Sequence, residues 1–191
     1  MKQPAKSITR PIAKRKTRPV LRVLGFIAGG LLGFFAVSMI LTNNTRGLTH
    51  NGSVIVIDRP AAEVFPLLAN CEGRLRWVET AVACTPLTDG PVRAGSRLRE
   101  VSGDGGRRVE MTTEVTSMDP PRDLQLRVTG TLFSMDVRYS LSEQAGKTFL
   151  AESREARFRF PLSLMSESIE KKAQDKVRAG LVRLKAVAEG R

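Results

Sequence analysis

From Val23 to Thr42 the chain reads VLGFIAGGLLGFFAVSMILT, twenty residues without a charge. At about 1.5 Å per residue a helix of that length spans about 30 Å, the hydrocarbon thickness of a bilayer. A helix buried in a water-soluble core is rarely apolar all round for so long, so residues 20–42 are read as one transmembrane helix. The rival is a cleaved signal peptide, because Ala36-Val37-Ser38 resembles a small-residue cleavage site. Against it, the apolar run continues through Met39-Ile40-Leu41, and the basic stretch ahead is long for such a peptide.

The formal net charge of +12 invites a nucleic-acid partner, but its distribution points elsewhere. Residues 1–22 hold Lys2, Lys6, Arg10, Lys14, Arg15, Lys16, Arg18 and Arg22 with no acid, which leaves +4 for the rest of the chain. A basic arm beside an apolar run is the orientation signal of a membrane segment, and a small excess spread through a domain is a solvated surface. Residues 1–19, with Pro4, Pro11 and Pro19, are therefore read as a disordered cytoplasmic arm. The expected protein is single-pass, with its soluble domain on the non-cytoplasmic side and no nucleic-acid partner. Gly25, Gly29 and Gly33 share one helix face and could let two copies pack as a homodimer. Glycine is also common in transmembrane helices generally, so the spacing alone does not choose.

Beyond the anchor, residues 43–52 (NNTRGLTHNG) are polar and turn-forming and read as a tether, with residues 53–191 as the domain. A composition of 41% hydrophobic and 26% charged residues is ordinary for a packed globular fold. Ser53–Asp58 is a β-branched strand stopped by Arg59-Pro60. Ala61–Ala69 is a short helix with Val64, Phe65 and Leu68 on one face, and a second short helix leads to Trp77. Six strand-like segments follow, separated by Gly, Pro and Asp: Thr80–Leu87, Ser96–Ser102, Arg107–Met118, Asp123–Thr129, Leu132–Leu141 and Thr148–Phe160. Val109, Met111, Thr113 and Val115 alternate onto one face, as do Leu124, Leu126 and Val128, and Phe133, Met135, Val137, Tyr139 and Leu141. Arg108, Glu110, Glu114, Asp136 and Arg138 fall on the opposite face, which should meet water. In the last segment Phe149-Leu150 blurs the alternation; Glu152, Arg154 and Glu155 read as exposed ion pairs, although one of them could point inward. A helix from Leu162 to Glu189 carries a stripe of Leu162, Met165, Ile169, Ala173, Val177, Leu181, Leu184 and Ala188, and only the apolar sheet face is large enough to bury it.

The segment VIVIDRPAAEVFPLLANCEGRLRWVE, with a strand ending in Asp58-Arg59-Pro60, a helix containing Val64-Phe65 and Trp77 closing the second helix, resembles the SRPBCC (START-like) superfamily in its polyketide cyclase/dehydrase branch. Val92-Arg93-Ala94-Gly95 and Pro120-Pro121-Arg122-Asp123-Leu124, each before a strand, match it too. The likeness covers about residues 53–189. It implies an α+β helix-grip fold, a curved antiparallel sheet wrapped around a long C-terminal helix, with an apolar cavity between them. Members bind lipids, sterols, polyketides and plant hormones, and some are enzymes. Trp77 then reads as a structural plug. Met111, Phe133, Met135, Tyr139, Met165 and Ile169 become the residues expected to line the cavity or fill it as core. These motifs mark a fold rather than a reaction.

No catalytic set is visible. The single histidine, His50, lies in the tether; no cluster has metal-ligand spacing; and Gly103-Asp104-Gly105-Gly106 reads as a hairpin turn rather than a phosphate cradle. No cofactor or metal is expected. Cys71 and Cys84 could pair in an oxidising compartment, but one follows a helix and the other lies within a strand, and two separate buried thiols are the expectation. Three functions compete: a membrane-anchored domain that binds a hydrophobic small molecule or lipid, a cyclase/dehydrase-like enzyme using an acid such as Tyr139, and a non-catalytic interaction protein whose cavity is filled. The charge asymmetry makes topology testable. A reporter active only outside the cytoplasm, fused to Arg191, should give signal; stable fusions that stay silent would overturn the orientation.

Overall fold

A two-residue period, interrupted at a few register shifts, builds the sheet, since apolar side chains that alternate with polar ones give a strand one dry face and one wet face. The computed structural model describes residues 46–104, 106–159 and 166–191. Its elements run β1 (Arg46–Ile57), α1 (Ala61–Ala69), α2 (Cys71–Trp77), β2 (Ala81–Pro86), β3 (Arg97–Asp104), β4 (Arg107–Asp119), β5 (Asp123–Thr129), β6 (Phe133–Gln144), β7 (Lys147–Phe158) and α3 (Ser166–Glu189). All seven strands join one antiparallel, curved sheet in the order β1-β7-β6-β5-β4-β3-β2. With the C-terminal helix this is the expected helix-grip arrangement, and the six expected meander segments coincide with β2 to β7. Residues 1–45, with the expected transmembrane helix and its Gly25, Gly29 and Gly33, lie outside the described residues. Among those that are described, no helix is long and apolar enough to cross a membrane.

β1 departs from expectation. It begins at Arg46 rather than Ser53, so residues 46–52 of the segment read as a tether are strand, paired with β7 across a bulge between His50 and Ser53. Polar, glycine-containing sequence masked the strand because its partner, not its own propensity, orders it. His50 therefore belongs to the sheet, opposite Arg154 in register.

The start of α1 is fixed by partners distant in sequence. The Ala61 amide donates to the Glu143 carboxylate at 2.8 Å, and Thr148 donates to the Arg59 carbonyl at 2.7 Å, so the β6–β7 hairpin anchors the start of α1. Pro66 is tolerated inside α1 because it and Ala62, whose carbonyl loses its partner, both face solvent. α2 folds back tightly on α1: a Cβ on Gly73 would sit 2.5 Å from the Leu67 Cα, a contact that only glycine avoids. On α3, Val177, Leu181 and Leu184 are buried at spacings of four and three. They join Ile57, Val64, Leu68, Trp77, Leu124 and Leu150 in one core. The outer sheet face carries ion pairs, Arg127 to Asp136 at 2.7 Å and Arg138 to Asp123 at 2.8 Å, as its charge pattern predicts.

Cys71 and Cys84 form a disulfide with Cα atoms 5.3 Å apart, contrary to the expectation of two separate thiols. Seven helical residues are about 10 Å long, and three strand residues cover about the same distance. Reversal at 78–80 therefore returns Cys84 to the start of α2, a closure that element type alone conceals. Thiol counting on unfolded, unreduced protein should find no free thiol, and reduction should lower stability by about 2–4 kcal/mol; two thiols per chain would contradict the bridge.

Candidate ligand-binding cavity

The sheet curves away from the helices and leaves a cavity of about 660 Å³ between them. β4, β5 and β6 supply apolar walls, with Met111, Leu126, Val128, Phe133, Met135 and Val137 reaching it, and Val177 and Gly180 close it from α3. Gly180 lies against the Trp77 ring, which a Cβ there would meet at an ordinary contact distance of 3.5 Å. Trp77 is buried, donates its indole N–H to the Leu67 carbonyl at 2.8 Å, and also lines the cavity, so the expected plug doubles as wall.

Of the six expected residues, the fold brings Met111, Phe133, Met135 and Tyr139 to the cavity. Met165 lies outside the described residues, and Ile169 lies on α3 with its side chain outside them. Two ion pairs that the sequence reading did not place inside also reach it. Glu100 on β3 is buried and accepts from Arg74 on α2 at 2.7 and 3.2 Å, while Arg74 donates a third bond to the Leu68 carbonyl at 3.3 Å and Thr113 donates to the same carboxylate. Glu152 on β7, with 2% of its surface exposed, pairs with Arg154 two residues on. The expectation that Glu152 and Arg154 form an exposed pair is thus corrected. β7 runs in unbroken register with β6, so Leu150, Glu152 and Arg154 keep the inward phase, while Glu155 pairs with Arg157 on the outer face.

A family model described as polyketide cyclase/dehydrase and lipid transport matches residues 52–189. The chain belongs to this family. Among solved structures, the Zhui aromatase/cyclase of a Streptomyces species superposes with a TM-score of 0.63 at 18% identity, covering 76% of this chain and 94% of its own. A protein of Thermus thermophilus gives 0.62 at 16% identity with 75% and 97% covered, and a conserved protein of Geobacillus kaustophilus gives 0.64 at 14% identity with 74% and 95% covered. At these identities the likeness establishes the shared fold. No match was found among curated proteins.

Within this family fold the polar groups are electrically coupled around Tyr139. Burial and the neighbouring Glu152 charge push its phenol far above the ordinary value, so it stays protonated and can act as a hydrogen-bonding group but not as a base. Burial opposes the charge on Arg74, yet Glu100 and Tyr139 beside it more than offset that and raise its pKa. Burial likewise pushes Glu100 up, but the Arg74 charge and the hydrogen bonds from Arg74 and Thr113 outweigh it and hold the carboxyl below the usual range. A depressed folded value means that ionised Glu100 stabilises the fold above the ordinary glutamate pKa, and this contribution disappears as the pH falls through the folded value. Thermal melts across acid pH should show that loss in the wild type and a flatter profile in Glu100→Gln. Arg74→Met alone should destabilise by about 3–5 kcal/mol, because a buried carboxylate is left unpaired; adding Glu100→Leu should recover much of the loss.

Proposed function

We propose that this domain binds a hydrophobic small molecule or lipid in its cavity and is held beside a bilayer by the N-terminal apolar segment. The observation that carries the reading is the open volume of about 660 Å³ under a mostly apolar wall. Closely packed cores leave few voids larger than a water molecule, so a space of this size supports an occupied cavity over one filled by its own side chains. Lipid transport is also part of the matched family's description. The anchor rests on the twenty uncharged residues from Val23 to Thr42 and the eight positive charges ahead of them. The Cys71–Cys84 disulfide supports placing the domain outside the cytoplasm, since such bonds persist in oxidising compartments. Tethering near lipid would keep the cavity where apolar ligands partition. Catalysis of the cyclase type has less support, because burial and the Glu152 charge make the Tyr139 phenol a weaker acid than an ordinary tyrosine and the Arg74 and Glu100 side chains are committed to each other.

Met135 gives the test, for it lines the cavity and is only half-buried. Overpacking a tight core is destabilising by about 1–3 kcal/mol, whereas a side chain that grows into free space is not. Met135→Trp should leave the melting temperature of the protein nearly unchanged and abolish the apolar molecule detected with the wild type by native mass spectrometry from detergent. A large loss of stability, with nothing bound to the wild type, would mean an ordinary core and an interaction protein.

A further inference from the structure

One end of the sheet gathers the start of β1, the end of β7, the β3–β4 hairpin and the β5–β6 turn, because Arg46 pairs with Phe158, Phe158 with Phe133, Ser134 with Thr129 and Thr129 with Thr112. Burial falls toward this end. Along the inward row of β4, Val115 and Thr113 are fully buried, Met111 is half-buried and Val109 is 44% exposed. Along β6, buried Tyr139 and Val137 give way to half-buried Met135 and Phe133. The cavity that Met111, Met135 and Phe133 line therefore opens in this direction. Exposed apolar side chains flank the opening: Val109, Leu132 in the β5–β6 turn, and Val82 beside Gly103.

Charge separates the two ends of the sheet. Arg46 opens β1, and Arg107, Arg108 and Arg159 are exposed with no ion pair among the described residues. Asp104 is the acid of the hairpin, and Glu110 is taken by Arg99 at 3.8 Å, so the end keeps a basic excess. At the opposite end each turn sets an acid against a base: Asp58 with Arg59, Asp89 with Arg93, Asp119 with Arg122, and Glu143 with Lys147. Exposed apolar groups among unpaired arginines complement an anionic lipid surface, which offers both headgroup charge and an apolar layer beneath it. Chain length favours the same end. Four residue steps separate Thr42, the last of the uncharged run, from Arg46, and an extended chain covers at most about 14 Å in four steps.

We propose that this sheet end docks the domain, cavity mouth first, on a lipid surface bearing anionic headgroups, so that a ligand passes between bilayer and cavity without crossing water. This rests on the anchored reading above and adds to it the surface through which the domain meets the membrane.

The full-length protein would be reconstituted in phosphatidylcholine vesicles, with or without phosphatidylglycerol, that also contain a lipid carrying a nitroxide high on its acyl chain. A fluorescent thiol label at Leu132→Cys, or at Val109→Cys should the first not fold, reports contact with lipid through quenching. The same label at Gln144→Cys, exposed in the β6–β7 hairpin at the far end, corrects for the dye's own affinity for lipid. Labelling without reductant spares the Cys71–Cys84 bridge. The labels at positions 132 and 109 should be quenched in anionic vesicles and far less in neutral ones, with the effect weakened by salt, while the label at position 144 is quenched in neither. Arg107→Gln combined with Arg108→Gln should lower the docked-to-free ratio about 30-fold, the effect of two arginines near an anionic surface. Quenching that ignores both lipid charge and these arginines, or that is as strong at position 144, overturns the docking surface in a protein still anchored. Release of the protein from the vesicles by alkaline carbonate overturns the anchor, and this inference with it. An empty cavity by native mass spectrometry beside an intact docking signal overturns the binding reading alone.

Discussion

The Arg74–Glu100 pair is the constraint around which the lower half of the domain is arranged. It joins α2 to β3, while the disulfide joins α2 to the neighbouring β2, and its carboxylate is bonded again by Thr113 on β4. Two charges taken out of water are unfavourable unless their geometry is good and their remaining lone pairs are satisfied. Both conditions hold here, with a two-pronged Arg–carboxylate contact and a hydroxyl on the second oxygen. The position of α2 then decides where Trp77 stands, and with it one wall of the cavity.

The sequence of elements, the meander of β2 to β7 and most of the core were legible because period two and the α3 stripe are direct consequences of strand and helix geometry. The inward Glu100 was legible by the same rule and was missed, and an inward Glu152 stood only as an alternative to an exposed pair. In β3, Leu98 points inward, so Glu100, two residues on, shares its face; in β7, Leu150 is followed at the same interval by Glu152 and Arg154. In β7 a bulge expected at Phe149-Leu150 obscured the period, and the strand pairs with β6 without one. The partner that makes burial of Glu100 tolerable comes from a helix 26 residues earlier, and nothing local announces it. Phase, once established by neighbouring apolar residues, is the stronger signal, and a charge found in phase with them is a candidate site residue. Val109 shows the converse: it is in phase with Thr113 and Val115 yet exposed. The expected TM segment and the cavity role of Met165 fall outside the described residues.

Other features were hidden because they depend on spatial closure. β1 gained residues 46–52 by pairing with β7, and the disulfide depends on two segments of equal length running in opposite directions. Neither strand propensity nor cysteine count encodes such coincidences.

A cavity walled by methionine and aliphatic side chains would accept many apolar shapes, since such walls adapt and discriminate weakly. Buried polar groups change that balance, because a ligand that fails to satisfy them leaves them unpaired in a dry environment, and the resulting differences between ligands exceed those from a methylene more or less. Four charges around Tyr139 are therefore a poor way to make a stable core and, on the binding reading, a means of discriminating among ligands. Fixed ion pairs also keep the donors in place before the ligand arrives, which reduces the ordering needed on binding. Arg74 is held by three hydrogen bonds and Arg154 by its carboxylate partner, so the polar surface of the cavity is preformed. On the proposed placement beside a bilayer, apolar chains without a polar group would be the commonest competitors, and buried polar groups are the part of the cavity that can discriminate against them.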